Sequence, residues 1–229
     1  MSDWPSAWHP RAVVFDLDGL MFNTEDLYQD VGGEMLRRRG KLLEAELLDA
    51  MMGRPARVAL QIMIDWHELA DTVEVLASET EQIFAGILAE RLECMPGLVD
   101  LLASLERAGI PKAIATSSGP RFVANVLAKF DFAPRFAFLL TADDIVDGKP
   151  HPEIYLTAAR RFDFAPRDLL VLEDSYNGCQ AAIRAGCYAV AVPSGHSRRH
   201  DFSQAALVID SLADERLYRV LGIERVRVT

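Results

Sequence analysis

The sequence predicts an α/β fold in which a parallel β-sheet carries helices on both faces and an all-helical segment follows the first strand. From position 95 onward, short apolar runs alternate with helical patterns. This alternation is typical of βαβ units and a parallel sheet. Between positions 23 and 92 the apolar spacing is helical and no stretch has the pattern of a strand.

The first predicted strand ends in two carboxylates. Val13, Val14 and Phe15 are followed by Asp16 and Asp18. A short apolar run bounded by a turn residue is typical of a buried strand. Burying an unpaired carboxylate is costly, so acidic residues at such a strand end meet a cation or the solvent of a cleft. We therefore expect the ligand crevice at this end of the sheet, as in other open α/β sheets.

Four helices are predicted in the inserted segment, and the first ends at Gly40, which suits a helix stop. They span residues 27–39, 42–51, 57–67 and 72–92. Because the first strand precedes this segment and the other strands follow it, two domains are expected. Residues 1–22 and 93–229 would form the core, and residues 23–92 a helical domain inserted into it.

The remainder of the core alternates helices with strands. Helices are expected at 96–108, 120–130, 152–162 and 177–185, and strands at 112–116, 138–141, 169–172, 188–192 and 207–209. Polar clusters follow three strands and occupy one loop: Asp16 with Asp18, Thr116 with Ser117 and Ser118, Glu173 with Asp174, and the loop around Lys149. Since the carboxyl ends of parallel strands face one way, these clusters are expected to converge.

Composition narrows the classes of function. The chain has 229 residues, 50% of them hydrophobic, and a net charge of −10. The charge argues against nucleic acid as a partner, because phosphate backbones require a basic surface. No apolar run approaches the ~18 residues that a membrane span needs, and the polar N-terminus lacks the apolar core of a signal peptide. The three cysteines lack metal-binding spacing and are expected to be reduced thiols, which indicates a cytoplasmic protein. The protein is expected to be a monomer or a weak homodimer.

The converging residue types suit phosphoryl transfer. Several carboxylates together with one lysine favour Mg²⁺, which prefers a few carboxylates and substrate phosphate. Asp16 and Asp18 lie two positions apart and face the same side of extended backbone, so one can attack while the other handles a proton. Lys149 and the hydroxyl of Thr116 would neutralise and position the phosphate.

Four segments resemble, in order, the signature motifs of the haloacid dehalogenase superfamily. They are Phe-Asp-Leu-Asp-Gly at 15–19, Ala-Thr-Ser-Ser at 115–118, Gly-Lys-Pro at 148–150 and Leu-Glu-Asp-Ser at 172–175. The inserted helices resemble the cap domain of its phosphatase and β-phosphoglucomutase-like branch. This resemblance implies a Rossmann-like catalytic core and a Mg²⁺-dependent phosphatase that acts on a small phosphorylated metabolite.

The resemblance also implies roles for single residues. Asp16 is similar to the nucleophile that accepts the phosphoryl group, and Asp18 to the general acid and base. The implied phosphate and substrate contacts are Asp18, Thr116, Ser117, Lys149 and, in the inserted segment, Arg54. The implied metal ligands are Asp16, the backbone carbonyl of Asp18, Glu173 and Asp174.

Departures from the family pattern bear on the alternatives. The superfamily's dehalogenases lack the second aspartate, so Asp18 favours phosphate esters over halides. The phosphosugar mutases carry a lysine where this chain has Gly119 and tend to carry a histidine near Tyr28, which favours hydrolysis over mutase activity. Asn23 stands where the family often has Asp, and altered hinge chemistry is expected there. A mutase and a non-catalytic metabolite-binding or regulatory module are the alternatives; isomer interconversion would indicate the first and absence of phosphate release the second.

Overall fold

Six parallel strands form one sheet in the computed structural model, which describes residues 8–51 and 56–228. The strands are β1 (Ala12–Phe15), β2 (Lys112–Ala115), β3 (Leu139–Leu140), β4 (Leu169–Glu173), β5 (Tyr188–Ala191) and β6 (Leu207–Val208). Their order across the sheet is β3-β2-β1-β4-β5-β6. The predicted α/β class, a parallel Rossmann-like sheet with helices on both faces, is confirmed.

The described residues also form nine α-helices. They are α1 (Thr24–Arg38), α2 (Ala45–Met51), α3 (Ala56–His67), α4 (Val73–Arg91), α5 (Leu98–Arg107), α6 (Pro120–Ala128), α7 (Glu153–Phe162), α8 (Tyr176–Ala185) and α9 (Glu215–Leu221). The chain divides into two compact units, with boundaries after Asn23 and after Leu92. The first unit contains the sheet and α5–α9, and the second contains α1–α4. A cap function for the second unit stays a prediction.

Strand β1 lies inside the sheet, between β2 and β4. Phe15 is in register with Ile114 of β2 and with Leu172 of β4, and every residue of β1 is completely buried. Just beyond β1, the amide of Asp16 donates to the carbonyl of Leu172 at 3.0 Å. The three neighbouring strands therefore end side by side, and the polar residues that follow them share one edge of the sheet.

Helices α7 and α8 pack on one face of this sheet. Ile154 and Ala158 of α7 and Ala182 of α8 share a buried apolar cluster with Val14 and Val171 of the strands. Small alanine side chains let the helix backbones approach the sheet closely, at the close packing typical of protein interiors. The approach matters for function because both helices begin next to polar clusters that were singled out in the sequence.

The helical unit has its own apolar interior. Leu27, Val31 and Met35 of α1 are buried at the spacing of one helix face. Gly40 follows α1 with a φ of 68°, as predicted for its stop. The unit also contains an open cavity of 310 Å³ whose lining includes Met35 and Met63.

The sequence prediction missed α9 and overestimated β3. Helix α9 has seven residues, and its signals are Asp214, whose side chain accepts the amide of Arg216 at 2.8 Å, and Gly222 with a φ of 68°. Strand β3 has two residues rather than four because its pairing with β2 is limited to Ile114 and Ala115. All three cysteines are free thiols, as predicted. Among the described residues, the helices are too short or too polar to cross a membrane.

Candidate active site

Three buried carboxylates meet at the end of the sheet. Oxygens of Asp16, Glu173 and Asp174 lie within 4.8 Å of one another. These residues are 6%, 0% and 1% exposed, so water contributes little to their solvation. Buried charge of one sign requires a compensating cation and satisfied hydrogen bonds. Glu173 is the last residue of β4, Asp174 follows it, and Asp16 follows β1, as the convergence argument predicted.

Lys149 provides positive charge at this cluster. Its Nζ lies 2.5 Å from Asp16 Oδ1, 2.6 Å from Glu173 Oε1 and 2.9 Å from the carbonyl oxygen of Ala115. An ammonium group has three donors, and these contacts use all of them. Burial lowers the pKa of Lys149, but Asp16 and Glu173 raise it more, so the pKa is above its usual value. The side chain therefore carries its full charge.

The positive charge of Lys149 does not fully compensate the buried negative charge of Asp16 and its neighbouring carboxylates. Burial raises the pKa of this carboxyl well above its usual range, Lys149 lowers it, and Glu173 and Asp18 raise it further. A second cation beside the cluster would restore the carboxylate form. The available donors are carboxylate oxygens, which suit a hard divalent ion such as Mg²⁺. The residues present thus fit a divalent metal in chemistry and in charge.

Asp18 is oriented by the loop that follows β2. Its Oδ2 accepts a hydrogen bond of 2.6 Å from the hydroxyl of Ser118 and one of 3.2 Å from the hydroxyl of Thr116. Thr116 is completely buried, and its hydroxyl oxygen accepts the amide of Ser118 at 3.0 Å. Ser118, a member of the polar cluster predicted after this strand, thus contacts Asp18 directly.

One of the substrate-binding residues implied by the sequence, Ser117, makes none of these contacts with Asp18. Ser117 is exposed in the turn between β2 and α6. Arg54 lies outside the described residues. Of the site residues implied by the sequence, the structure brings together Asp16, Asp18, Thr116, Lys149, Glu173 and Asp174.

Three further residues shape the surroundings of Glu173. The hydroxyl of Tyr155 donates to Glu173 Oε1, and the hydroxyl of Ser175 donates to Oε2 at 3.0 Å. Gly178 leaves the space that the carboxylate occupies, since a Cβ there would lie 1.9 Å from it. A buried tyrosine hydroxyl normally has a hydrogen-bond partner. The position of Tyr155 among apolar helix residues therefore indicated a buried hydrogen bond, but the sequence could not identify the acceptor.

Asn23 joins the two chain segments that enter and leave the helical unit. Its Oδ1 accepts the amide of Glu93 at 2.9 Å, beside an antiparallel bridge between Phe22 and Cys94. This contact needs only an acceptor oxygen, which Asp and Asn both supply. The replacement of Asp by Asn therefore preserves the hydrogen bond between the segments.

The chain is similar to proteins that are named, in whole or in part, as phosphatases. It is 35% identical over 207 residues to a probable pseudouridine-5′-phosphatase from Drosophila melanogaster, covering 88% of this chain and 89% of that protein. It is 32% identical over 209 residues to a bifunctional riboflavin kinase/FMN phosphatase from Arabidopsis thaliana, covering 90% of this chain. The chain spans about half of the length of that bifunctional protein, 54%.

Structure comparison gives the same grouping. The crystal structure of CbbY from Rhodobacter sphaeroides in complex with phosphate superposes with a TM-score of 0.78 at 27% identity, covering 90% of this chain and 96% of that one. The sequence profile described as haloacid dehalogenase-like hydrolase matches residues 13–192, which include all four polar clusters. The chain therefore belongs to the haloacid dehalogenase-like hydrolase family.

Proposed function

We propose that this protein is a Mg²⁺-dependent phosphatase that hydrolyses a small phosphorylated metabolite through a phosphorylated Asp16. The observation that carries the proposal is the contact between Lys149 and Asp16 inside a cluster of three buried carboxylates. A lysine held 2.5 Å from a strand-end carboxylate can stabilise the negative charge of Asp16 and then that of the phosphoryl group bound to it. Membership of a hydrolase family supports this reading of the site.

The first step transfers the phosphoryl group to Asp16. An Asp16 oxygen attacks phosphorus, the bond from phosphorus to the ester oxygen breaks, and an aspartyl-phosphate forms. Lys149 binds the equatorial oxygens, and Thr116 exchanges its bond to Asp18 for a phosphoryl oxygen. Catalysis in such transfers is mainly positioning and charge stabilisation, which suits a site whose side chains are fixed by burial.

Asp18 moves the proton in both steps. Its Oδ2 accepts bonds from Ser118 and Thr116, so the transferred proton resides on Oδ1. In the first step that proton passes to the departing ester oxygen. In the second, the Asp18 carboxylate takes a proton from water as the water oxygen attacks phosphorus, which releases inorganic phosphate and restores Asp16.

Asp16, Asp174 and the backbone carbonyl of Asp18 would hold the metal, with Glu173 beside it. When bound, Mg²⁺ supplies positive charge that draws phosphate oxygens into the site and offsets repulsion between the carboxylates. This assignment explains why a single lysine is sufficient for a cluster of three acids.

The substrate is proposed as a small phosphate monoester. Two relatives are named for FMN and pseudouridine 5′-phosphate, and two others for phosphorylated carbohydrates and glycerol 3-phosphate. A panel of pseudouridine 5′-phosphate, FMN, sugar phosphates and p-nitrophenyl phosphate, assayed for phosphate release with Mg²⁺, would identify the class. Interconversion of glucose-phosphate isomers without phosphate release would instead indicate a mutase.

Asp16→Asn tests the nucleophile. An amide cannot accept the phosphoryl group, so we expect kcat to fall by at least ~10³-fold. The thermal unfolding temperature should stay near that of the wild type. Asp131→Asn, at an exposed position, is the matched control and should retain full activity. Residual turnover above about one-tenth of wild type would contradict the assignment.

Removal of the metal tests the cofactor independently. Dialysis against a chelator should abolish phosphate release, and added Mg²⁺ should restore it, because the carboxylates then lose their compensating charge. Full activity in the chelated protein would contradict the proposed metal site.

A further inference from the structure

Tyr155 contacts both charged groups that flank Asp16. Its hydroxyl donates a hydrogen bond to Glu173 Oε1, and its ring centroid lies 5.3 Å from Lys149 Nζ. The side chain is completely buried. A cation near an aromatic face is attracted by the negative charge of that face, and burial strengthens the attraction. One neutral side chain therefore stabilises the anion and the cation of the same pair.

The position of Tyr155 follows from the start of α7. That helix begins four residues after Lys149, and Tyr155 lies in its first turn. Ile154, Ala158 and Ala159 are buried on the same side of the helix, which fixes that side against the sheet. The loop that carries Lys149 and the helix that carries Tyr155 are thus one continuous element.

Lys149 divides its charge between two carboxylates. It lies 2.5 Å from Asp16 and 2.6 Å from Glu173, so the two acids compete for it almost equally. Glu173 Oε1 accepts from Lys149 and from Tyr155 at once. The Tyr155 hydrogen bond withdraws negative charge from this oxygen and so weakens its hold on the ammonium group.

Tyr155 is suited to remain a donor. Burial raises the pKa of its phenol well above the usual value, and the neighbouring carboxylates Glu173 and Asp16 raise it further. A phenol is protonated at neutral pH, so the hydroxyl is available as the donor in this hydrogen bond. Ser175, the residue that caps the start of α8, donates to the other Glu173 oxygen, so each oxygen of this carboxylate has a hydroxyl donor of its own.

We propose that Tyr155 is a positioning residue that sets how Lys149 divides its charge between Asp16 and Glu173. The inference rests on the proposed function of Asp16 as nucleophile. Without the phenol, Glu173 competes more strongly for Lys149, and Lys149 moves away from Asp16 and from the phosphoryl group that Asp16 receives. The effect belongs to the transfer step, since Tyr155 touches neither Asp16 nor the leaving group in this assignment.

Tyr155→Phe isolates the hydroxyl because the ring over Lys149 is retained. We expect kcat for the best phosphate monoester of the panel to fall about tenfold, equivalent to ~1.4 kcal/mol, with KM changed less than about twofold. Tyr218→Phe is the matched control. Tyr218 is also buried, at 2% exposure, and has a cation, Arg225, 5.8 Å from its ring centroid. Its loss of a hydroxyl should leave kcat unchanged.

A spectroscopic measurement follows Lys149 directly. The chain contains four lysines, so the ammonium signals of ¹⁵N-labelled protein form a small set that Lys149→Met assigns. Tyr155→Phe should move the Lys149 signal well beyond any change in Tyr218→Phe. Labelling with ¹³Cζ-tyrosine gives a second reading without changing position 155, because Glu173→Gln should move the Tyr155 signal by altering its acceptor.

The outcomes separate this inference from the proposed function. An unmoved Lys149 signal in Tyr155→Phe, or a kcat within about twofold of wild type, overturns the positioning role. Equal losses of kcat in both tyrosine variants also overturn it, because they indicate a structural effect of any buried hydroxyl. A wild-type protein without phosphatase activity overturns the proposed function, while the Lys149 signal still decides the role of Tyr155. If Tyr155→Phe fails to fold, an unmoved Tyr155 signal in Glu173→Gln overturns the inference.

Discussion

At the scale of single residues, the buried carboxylate of Glu173 explains why several of its neighbours are the residues they are. Its carboxylate is completely buried, so each of its oxygens needs partners that water cannot supply. Tyr155, Ser175 and Lys149 provide them from three different parts of the chain. The same carboxylate needs space, and Gly178 in the first turn of α8 provides it. A glycine is required there for close approach.

Gly178→Ala should therefore damage the site. The added Cβ would lie 1.9 Å from the Glu173 carboxylate, so that carboxylate or the start of α8 must shift. We expect a loss of about 1–3 kcal/mol in the free energy of unfolding from overpacking. We also expect kcat/KM to fall at least ~10-fold because Lys149 loses one of its two carboxylate partners. Chemical denaturation and steady-state kinetics of the variant provide the two measurements.

Gly33→Ala is the control for that substitution. Gly33 lies within α1, and a Cβ there would meet nothing within 4 Å. Alanine is the better helix former by about 0.5–1 kcal/mol, so this variant should be as stable as wild type or more so. If Gly178→Ala matched Gly33→Ala in both stability and activity, the space around Glu173 would not matter.

At the scale of elements, Arg39 connects the end of α1 to α4. Its guanidinium donates two hydrogen bonds of 2.8 Å to Asp71 and one of 2.7 Å to Glu79. It also donates to the carbonyl oxygen of Met35 at 2.9 Å, in the last turn of α1. The Arg39 side chain is 18% exposed, so these ion pairs are shielded from water more than ordinary surface pairs. The planar fork of arginine fits this arrangement and lysine does not.

We expect stability to fall in the order wild type, Arg39→Lys, Arg39→Met. Lysine keeps the charge but loses the paired contact to Asp71, at about 1 kcal/mol. Methionine leaves Asp71 without its cation and leaves Glu79 paired with Arg38 alone, at about 2–3 kcal/mol. Urea denaturation followed by circular dichroism would measure both values.

Arg37→Met removes an arginine from the last turn of α1 and serves as the comparison. Arg37 is 71% exposed and pairs with Glu34 three residues away. Such surface pairs contribute about 0–1 kcal/mol, so the loss should be clearly smaller than for Arg39→Met. Equal losses for the two methionine variants would show that the link between α1 and α4 adds nothing to stability.

The sequence predicted elements better than it predicted contacts between them. Helices α1–α8 and the six strands follow from periodicity and from stop signals such as Gly40, which is why their existence was predictable and their ends were less so. The short α9 lacks enough turns for periodicity to be visible. In the site, Asp16 and Glu173 were recognisable because they are charged residues at strand ends, and Lys149 because it lies in a polar loop before a helix. Tyr155 was not, because its role depends on an acceptor 18 positions away, which only the packing of α7 reveals.

At the scale of the whole molecule, the net charge of −10 coexists with many locally paired carboxylates. Hydrogen bonds from Arg135, opposed by partial burial and assisted by Lys112, lower the pKa of Glu106 to about 2 from 4.5. Asp100, paired with Arg225 and with the amide of Val228, also has a lowered pKa. Carboxylates of this kind stabilise the folded state when they are ionised, so the protein should lose stability in acid as they become protonated.

Glu106→Gln should show this dependence for a single group. The folded pKa lies below the unfolded value, so the stabilisation is fully present above pH 4.5 and is lost as pH falls towards 2. The Glu106 side chain is 42% exposed, and solvent screening limits the expected loss at pH 7 to about 1 kcal/mol. Urea denaturation at several pH values should show that the difference in free energy of unfolding between variant and wild type closes as the pH falls below 4.5. Both proteins then present an uncharged side chain to Lys112 and Arg135.

Glu93→Gln, at an exposed position, removes the same charge without these partners and should show a smaller gap. A gap that stays constant across the pH range would mean that Glu106 stabilises the fold by packing rather than by charge.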